Sequence, residues 1–531
     1  MTDLVNHLAR EAARGRISRR EFLGRAAALG VVPAVAGTML SKAVLAQGPQ
    51  KGGTLKLGMA TGATTDAMDP ALWTNQVPYT FGKCWGETLV VTSPVDGSPV
   101  PVLAESWSAS DDALSWQFKV RQGVTFHDGK ELTADDVVAT IRRHSDENSQ
   151  SGALGLLGDI ESVEADGKHS FVVKLKAPDA DLPLVISDYH MVIQPNGGLD
   201  NPTAGIGTGP YKVEVAEQGV RLVGVKHEGY WSQEVGHVDA VEILVINDAT
   251  ARMSALQSGQ VHIINRIDPK SVGFLERMDT IVIENTAGKG HYTFPMRADT
   301  DPFTNYDLRM ALKLALDREQ MVKQILLGYG TAGNDFPINE AYELFPEGIE
   351  QRQFDPDKAK FHYEKSGHSG PVVFRTSDVA FPGAIDAAVL YQQSAAKAGI
   401  QIEVIREPGD GYWSNVWNTQ PFSASYWSGR PTQALMYATA YVSSADWNES
   451  AWRRPEFDAL HAQVRAELDE AKRKELYREM ALMVRDDGGL ILPMFNDFID
   501  ARSKQVQGFV RDRAGELSNN YIGIRAWLDQ A

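Results

Sequence analysis

Two consecutive arginines stand near the start of the chain, in the sequence SRREFL at 18–23. A weakly apolar run rich in Ala, Gly and Val follows over 26–40, and the small residues of VLA at 44–46 come after it. A basic n-region, a short h-region and small residues before a cleavage point are typical of a bacterial signal peptide, and the paired arginines indicate the twin-arginine route. We therefore predict a twin-arginine signal peptide over 1–46, cleaved near Ala46, and a mature protein in the periplasm.

Two other interpretations of this segment are weaker. An amphipathic helix of the folded protein is disfavoured by Gly24, Gly30 and Pro33, each a poor residue for a helix interior. A membrane anchor is disfavoured because the apolar run has about 15 residues, whereas a spanning helix needs ~20. No Cys follows the run to carry a lipid. We expect a mature protein that is not anchored to the membrane and that meets the twin-arginine export machinery on its way out.

Composition limits what the remaining chain can be. The chain has 531 residues, so about 485 remain after cleavage, enough for two or three domains. Removing the seven Lys/Arg and three Asp/Glu of the signal from totals of 52 and 69 leaves a net charge of −21, which disfavours nucleic acid and anionic membranes as partners. Cys84 is the only cysteine, so an intramolecular disulfide is excluded, and we expect it to be a buried apolar side chain.

Periodicity predicts alternating strands and helices over the mature chain. Alternation of apolar and polar residues predicts strands at 51–59, 114–120, 160–165, 170–175, 238–245, 372–376 and 400–406. Capping residues before helical patterns predict helices at 133–144, 248–259, 308–327, 384–398 and 466–486. The first of these helices has Thr133 at its N-cap and Asp136 three residues later, the pattern of a capping box. Helices that alternate with short strands indicate an α/β domain from about 305 to 493.

A set of local motifs, spread in order over the mature chain, carries a family resemblance. The motifs are PVLAESW at 101–107, GVTFHDGK at 123–130, LTADDV at 132–137, GTGPY at 207–211, ALQSG at 255–259, DPF at 301–303, RMA at 309–311 and ALDR at 315–318. Together they resemble the family 5 extracellular solute-binding proteins of ABC importers, which include peptide, nickel and opine binders.

The resemblance implies the α/β, two-lobed periplasmic binding protein fold (type II, cluster C-like), with an enlarged first lobe that carries an inserted subdomain. We expect lobe I at 47–291 with the insert at about 85–203, lobe II at 297–490, and a C-terminal return to lobe I at 496–531. We place the two chain crossings near 292–297 and 490–495. The resemblance also implies a monomer that closes on a small-molecule ligand and delivers it to ABC permease subunits.

Two features could be mistaken for chemical sites. His127 has no second His at metal-ligand spacing, so we interpret it as a structural residue. The glycine-rich segment 205–209 precedes Pro210 and a strand rather than a helix, which excludes a phosphate-binding loop. The sequence also has no Gly-x-Ser-x-Gly or His-Glu-x-x-His motif. We therefore expect no catalytic residues, no metal site and no cofactor.

An aromatic segment of the second lobe is the candidate ligand site. We expect Trp417 and Phe422 to belong to the core, whereas WSGRP at 427–431 places an arginine between Gly and Pro just after an apolar strand. In the family this loop lines the pocket. The candidate ligand-binding residues are Tyr426, Trp427, Gly429, Arg430, Trp447 and Asn448.

The loop departs from that of the dipeptide-binding relatives, which carry an Asp there for the peptide's amino group. This chain has Arg430 followed by QALM at 433–436 and no carboxylate. It looks closer to opine binders, so we expect a carboxylate on the ligand, held by the guanidinium at two points. Opine-like conjugates, modified amino acids or peptides, and chelates all fit. A general oligopeptide or dipeptide binder is the alternative, and a periplasmic chaperone, a sensor or an enzyme is a weaker one.

Overall fold

The computed structural model describes residues 19–29, 31, 48–95, 97–179, 181–467 and 469–529. The predicted cleavage site and most of the apolar run of the signal lie outside the described residues. The described part of the signal is a helix, Arg19–Ala28, that contains Gly24 and buries Phe22. We expected Gly24, Gly30 and Pro33 together to disfavour an amphipathic helix of the folded protein. Gly24 lies within the helix, since a single glycine costs only ~1 kcal/mol relative to alanine, whereas Gly30 and Pro33 lie outside the described residues.

The strands are numbered in chain order. They are β1 Thr54–Met59, β2 Val90–Thr92, β3 Pro99–Pro101, β4 Ala104–Ala109, β5 Ser115–Val120, β6 Ile160–Ala165, β7 Ser170–Leu175, β8 Tyr211–Glu217, β9 Arg221–Lys226, β10 Ala240–Val245, β11 Ile263–Ile264, β12 Ile281–Thr286, β13 His291–Pro295, β14 Gly330–Ala332, β15 Val372–Thr376, β16 Ile402–Arg406, β17 Ser425–Trp427, β18 Leu490–Asn496, β19 Phe498–Ser503, β20 Val506–Gln507 and β21 Trp527–Leu528.

The helices are numbered in the same way. They are α1 Arg19–Ala28, α2 Gln76–Trp85, α3 Ala134–Ser145, α4 Leu154–Leu157, α5 Leu182–Val185, α6 Ala249–Gln257, α7 Pro269–Leu275, α8 Tyr306–Leu314, α9 Arg318–Met321, α10 Pro356–Ser366, α11 Ala384–Ala396, α12 Tyr412–Asn415, α13 Gln433–Ala440, α14 Pro455–Ala466, α15 Glu470–Asp486 and α16 Ile522–Arg525. Across the parts of the chain that the structure describes, none of the helices has the length and apolar character to cross a membrane.

The largest sheet has seven strands in the order β12-β19-β11-β1-β10-β9-β8. Its centre is parallel, since β1 pairs in parallel with both β10 and β11. Two apolar clusters pack against it, one that includes Leu55, Leu57 and Trp85 and another that includes Ile264 and Leu275. The buried residues of the central strands, such as Leu55 and Leu57 of β1, therefore belong to the core.

A second, antiparallel sheet has the order β14-β18-β13-β17 and belongs to the largest apolar cluster. The chain passes from the first sheet to this one through 287–290, between β12 and β13, and returns through Asp497, between β18 and β19. We expected the crossings near 292–297 and 490–495, and the structure places most of those residues inside β13 and β18. A buried strand and an extended crossing have the same local pattern, so the sequence did not separate them.

The segment between β1 and β8 adds a further sheet, β4-β5-β7-β6, with its own apolar cluster. Phe118 and Phe171 stack across β5 and β7 with ring centroids 5.1 Å apart. Leu435 and Ala438 of α13 also belong to this cluster, so the insert packs against a helix from the second part of the chain. These sheet memberships support the predicted division into lobe I, insert, lobe II and C-terminal return, which stays a proposal.

Two predicted helices have different bounds in the structure. The predicted helix 308–327 is divided, because Asp317 accepts a hydrogen bond from the backbone N of Gln320 (3.0 Å) and so begins α9. The predicted helix 466–486 begins later, since Asp469 caps α15 and the preceding residues close α14. In both cases an aspartate at an N-cap position starts a new helix within an otherwise continuous helical pattern.

Candidate functional site

A cavity lies between elements of the insert, the first sheet and the second sheet. Its volume is about 90 Å³, and it is partly open to solvent. Its wall comes from α2, from 184–189 of the insert, from 426–431 (the end of β17 and the loop that follows it), and from 519–521 near the C-terminus. Groups far apart in the sequence therefore face one space.

The loop after β17 is held in place from both sides. β17 pairs with β13, and Thr432 caps α13 by accepting a hydrogen bond from the backbone N of Leu435. Between them, Gly429 donates its backbone N–H to Ala514 O (3.2 Å), and a Cβ at this position would lie 2.4 Å from Cβ of Lys289. Only glycine fits beside Lys289, and together with the hydrogen bond to Ala514 this close packing fixes Arg430 at the cavity.

Arg430 is buried at the cavity wall. Its Nε donates to Oγ1 of Thr439 (3.2 Å), Nη1 to Gly429 O (3.4 Å) and Nη2 to the hydroxyl of Tyr189 (3.4 Å). Burial acts to lower the pKa of Arg430, but Tyr189 and the Asp188 carboxylate outweigh it and raise the pKa, so the group is charged.

The guanidinium has five N–H donors, and three hydrogen bonds account for three of them. Among the described residues, Arg430 forms no ion pair. A buried cation with spare donors facing a cavity is suited to receive an anion from a ligand.

Tryptophan side chains form the flat part of the wall. The ring of Trp427 lies 5.8 Å from that of Trp447 and 6.2 Å from that of Trp417, centroid to centroid. Buried Glu449 accepts hydrogen bonds from Nε1 of Trp417 (2.6 Å) and Nε1 of Trp427 (2.9 Å), and a third from Oγ1 of Thr293 (2.8 Å). Burial raises the pKa of Glu449, against these hydrogen bonds. One carboxyl group therefore orients two indoles of the cavity wall.

Five of the six predicted ligand-binding residues line the cavity: Tyr426, Trp427, Gly429, Arg430 and Trp447. Asn448 does not line it, because its Nδ2 donates to Trp452 O (2.7 Å) and its Oδ1 accepts from Ser450 (3.1 Å). Its amide holds the turn that carries Trp447.

The expected core role of Phe422 is confirmed, since it packs on Phe303 and Phe374. Trp417 is buried as expected and also contributes to the cavity wall.

The cavity also contains a carboxylate that the sequence analysis missed. Asp188 accepts hydrogen bonds from Nδ1 (2.5 Å) and the backbone N (3.0 Å) of His190. Burial raises the pKa of Asp188, but His190 and Arg430 outweigh this and lower it, so the carboxylate is ionised. The sequence analysis correctly found no acidic residue in the loop after β17, but the insert supplies the carboxylate of Asp188 to the same cavity.

Tyr79, Lys83 and Tyr189 are further cavity residues that the sequence analysis missed. The rings of Tyr79 and Tyr189 lie 4.0 Å apart and their hydroxyls 3.1 Å apart. No local pattern brings these residues together with Arg430. One signal was available: Lys83 is a single cation in α2, a helix whose other residues are all buried.

His127 has the structural role that was predicted for it, and the glycine-rich turn packs on α2. Nε2 of His127 lies 2.9 Å from Gly209 O, and burial lowers the pKa of this histidine to about 4. A Cβ on Gly207 would lie 2.4 Å from Trp85 O, so the turn needs glycine to pack on α2. Within the described ranges, no group of three or more His, Cys, Asp or Glu is arranged to hold a metal ion.

Comparison with known proteins identifies the family. Residues 98–449 match the bacterial extracellular solute-binding proteins, family 5 Middle. The chain belongs to this family. One similar protein is the glutathione-binding protein GsiB of Pectobacterium atrosepticum, 23% identical over 478 residues, with 85% of this chain and 90% of the relative covered.

Two solved structures share the fold. The periplasmic binding protein DppA of Helicobacter pylori, in complex with the peptide STSA, aligns with a TM-score of 0.83 and 21% identity over 91% of this chain and 99% of that chain. AgaA of A. tumefaciens R10, in complex with agropinic acid, aligns with a TM-score of 0.81 and 22% identity over 90% and 99%. The predicted fold is confirmed: a two-lobed, mixed α/β type II periplasmic binding protein with additional domains.

Family membership also establishes the general role. This protein is a solute-binding protein of an ABC importer, in a family of periplasmic transport receptors that work with membrane permeases rather than as enzymes.

Proposed function

We propose that this protein captures a small molecule with at least one carboxylate and delivers it to an ABC permease. The observation that carries the proposal is Arg430, a buried and charged guanidinium at the cavity with unused N–H donors. A carboxylate accepts two parallel N–H bonds from such a group, a contact that lysine does not reproduce. The tryptophans beside it would cover the apolar part of the ligand.

The charges at the cavity define the ligand class further. Ionised Asp188 lies near Arg430, so the site offers an acceptor for an amino group as well as a donor for a carboxylate. Opine-like conjugates, modified amino acids and short peptides carry both groups. The names of the similar proteins include glutathione, agropinic acid and a peptide, all of which have carboxylates.

A general dipeptide or oligopeptide receptor is the second candidate. Asp188 favours this candidate. Its carboxylate, which belongs to the insert, could hold the amino group of a peptide, the role that the loop aspartate has in the dipeptide-binding relatives. The two candidates differ in whether one defined molecule or a mixture of peptides occupies the cavity.

Capture in this proposal includes closure of the two lobes about 287–290 and Asp497, the connections between the sheets. The export route is the twin-arginine pathway, with a signal peptide cleaved near Ala46, and the working form is a monomer that is not anchored to the membrane. Hinge closure on a scarce solute buries the ligand and presents a closed receptor to the permease.

Mass spectrometry of small molecules released from the protein, purified from its native periplasm, tests the function. We expect one defined carboxylate-bearing species, recovered in much lower amount from Arg430→Ala. Arg406→Ala is the matched control, because Arg406 is an exposed arginine of the second part of the chain, paired with Asp378. A mixture of peptides would favour the second candidate. Equal recovery from Arg430→Ala and the control would contradict the role of Arg430.

A further inference from the structure

We propose that Lys83 forms a second anion-binding position in the same cavity, so that the ligand carries two anionic groups, one for Arg430 and one for Lys83. This inference rests on the proposed function, because it assigns a second group of the same ligand.

Lys83 reaches the cavity from the last turn of α2, a helix otherwise buried in the first lobe. Its Nζ donates to Asn519 O (2.9 Å) and lies 3.7 Å from the centroid of the Tyr521 ring. Both partners are uncharged. An ammonium has three donors, and one protein hydrogen bond accounts for one of them. Within the described part of the chain, Lys83 forms no ion pair with a carboxylate.

The segment that meets Lys83 has an unusual backbone. Leu517, Ser518, Asn519 and Asn520 all have positive φ, between 52° and 65°, a conformation that non-glycine residues rarely adopt in succession. Such strain persists where the surrounding structure enforces it, and it is concentrated at functional sites. Here the strained turn places the side chains of Asn519, Asn520 and Tyr521 on the cavity wall, next to Lys83.

The electrostatic balance at Lys83 also favours an anionic partner. Burial lowers the pKa of Lys83 to about 7; Asp512 and Asp188 act to raise it, and Arg525 acts to lower it. A partly buried ammonium without a carboxylate in ion-pair contact is costly, and an uncharged side chain of similar length would fill the same space. An anionic ligand group beside Nζ would pair with the charge and keep Lys83 protonated.

Lys83 and Arg430 are separate positions, since they share no hydrogen-bond partner. Lys83 is held by the turn at 519–521, whereas Arg430 is held by Thr439 and Tyr189. Asp188 interacts electrostatically with both cations. The cavity therefore offers two cations and one carboxylate, which matches a molecule with two acidic groups and an amino group. A dicarboxylate conjugate of an amino acid has this pattern.

The first test is stability without ligand, with Lys83→Met compared with wild type after unfolding in guanidinium and refolding. We expect Lys83→Met to melt at the same temperature as wild type or higher at pH 7, because the substitution removes a poorly paired buried charge and retains the length of the side chain. A lower melting temperature would mean that the ammonium supports the turn at 519–521, and it would overturn the proposal.

The second test counts the acidic groups on the small molecule released by acid from protein purified from native periplasm. Methyl esterification replaces the proton of each carboxyl group by a methyl group, a net gain of one CH2 in mass, and we expect two such additions. We also expect Lys83→Met to release less than about a tenth of the wild-type amount, corresponding to a loss of at least ~1.4 kcal/mol in binding, while Lys358→Met, which alters an exposed lysine, releases the full amount. One addition, or full release from Lys83→Met, would overturn this inference and leave the proposed function intact. No addition would overturn the proposed function itself.

Discussion

Arg465, which does not line the candidate cavity, joins the insert to the second part of the chain. It lies near the end of α14, and its guanidinium contacts the carboxylates of Asp159 and Asp179, on either side of the hairpin β6–β7. The side chain of Asp179 is 3% exposed and that of Asp159 is 38% exposed. If the lobes separate when the ligand leaves, this contact must break. We therefore predict that Arg465→Met favours the open form.

The size of the effect follows from burial. Removing one partner of a buried ion pair typically costs about 3–5 kcal/mol, because the other charge is left without compensation. Asp159 is more than a third exposed, and exposed pairs contribute little, so the cost arises mainly from Asp179. We expect a loss of about 2–3 kcal/mol in the closed form, which lowers ligand affinity by roughly 30- to 150-fold. In the open form all three groups are hydrated, so no comparable cost arises there.

Calorimetry with the molecule identified from the native periplasm measures this loss, and small-angle scattering measures closure. Arg406→Met is the matched control, since Arg406 and Asp378 are both largely exposed and lie in one lobe. Adding Asp179→Asn to Arg465→Met should restore at least tenfold in affinity, because it removes the unpaired charge. Wild-type affinity in Arg465→Met, or an unchanged radius of gyration in wild type when ligand is added, would refute the idea that this contact stabilises a closed state.

Three further predictions concern other parts of the molecule. Glu449→Gln should lower stability by about 1–3 kcal/mol, because Trp417 and Trp427 donate to different oxygens of the carboxyl group and the amide would present its NH2 to one of them. Denaturant unfolding measures this loss, and an unchanged midpoint would contradict it. The pKa of Lys83 is about 7 in the folded state, below its ordinary value of 10.5, so the unfolded state binds more protons between these values. The free energy of unfolding should then rise with pH across this window by up to about 1.4 kcal/mol per unit more in wild type than in Lys83→Met, and equal pH profiles would contradict this. Changing Arg19 and Arg20 together to Lys should retain the precursor in the cytoplasm, as seen by immunoblot of cell fractions; full export would indicate the general secretory route.

Local patterns predicted the elements that local interactions determine. The strands β6, β7 and β15 match the predicted bounds. In β7 and β15 every second residue is buried, so the alternation is complete. The capping box of α3 is present, with Oδ2 of Asp136 accepting from the backbone N of Thr133 (3.0 Å). The predictions were wrong where an aspartate such as Asp317 begins a new helix inside a continuous helical pattern, since the pattern and the cap then favour different structures.

The candidate site divides in the same way. Arg430 could be found from the sequence because Gly, Arg and Pro follow a strand in a segment that resembles the ligand loop of the family. Lys83 and Asp188 could not be found, because each meets Arg430 only after the insert, the first sheet and the C-terminal segment have come together. Asn448 was included by its nearness in sequence to Trp447, yet its side chain faces the backbone of its own turn.

The most direct test of the account is the affinity of Arg430→Ala and Arg430→Lys for the molecule released from the native protein, measured by calorimetry. The account predicts that Arg430→Ala loses ~2–5 kcal/mol of binding, or roughly 30- to several-thousand-fold in affinity, since a desolvated carboxylate loses its partner. Arg430→Lys should recover only part of this loss, because an ammonium does not make the planar two-point contact. Near wild-type affinity in Arg430→Ala, with an unchanged melting temperature, would contradict the central claim that this arginine binds an anionic group of the ligand.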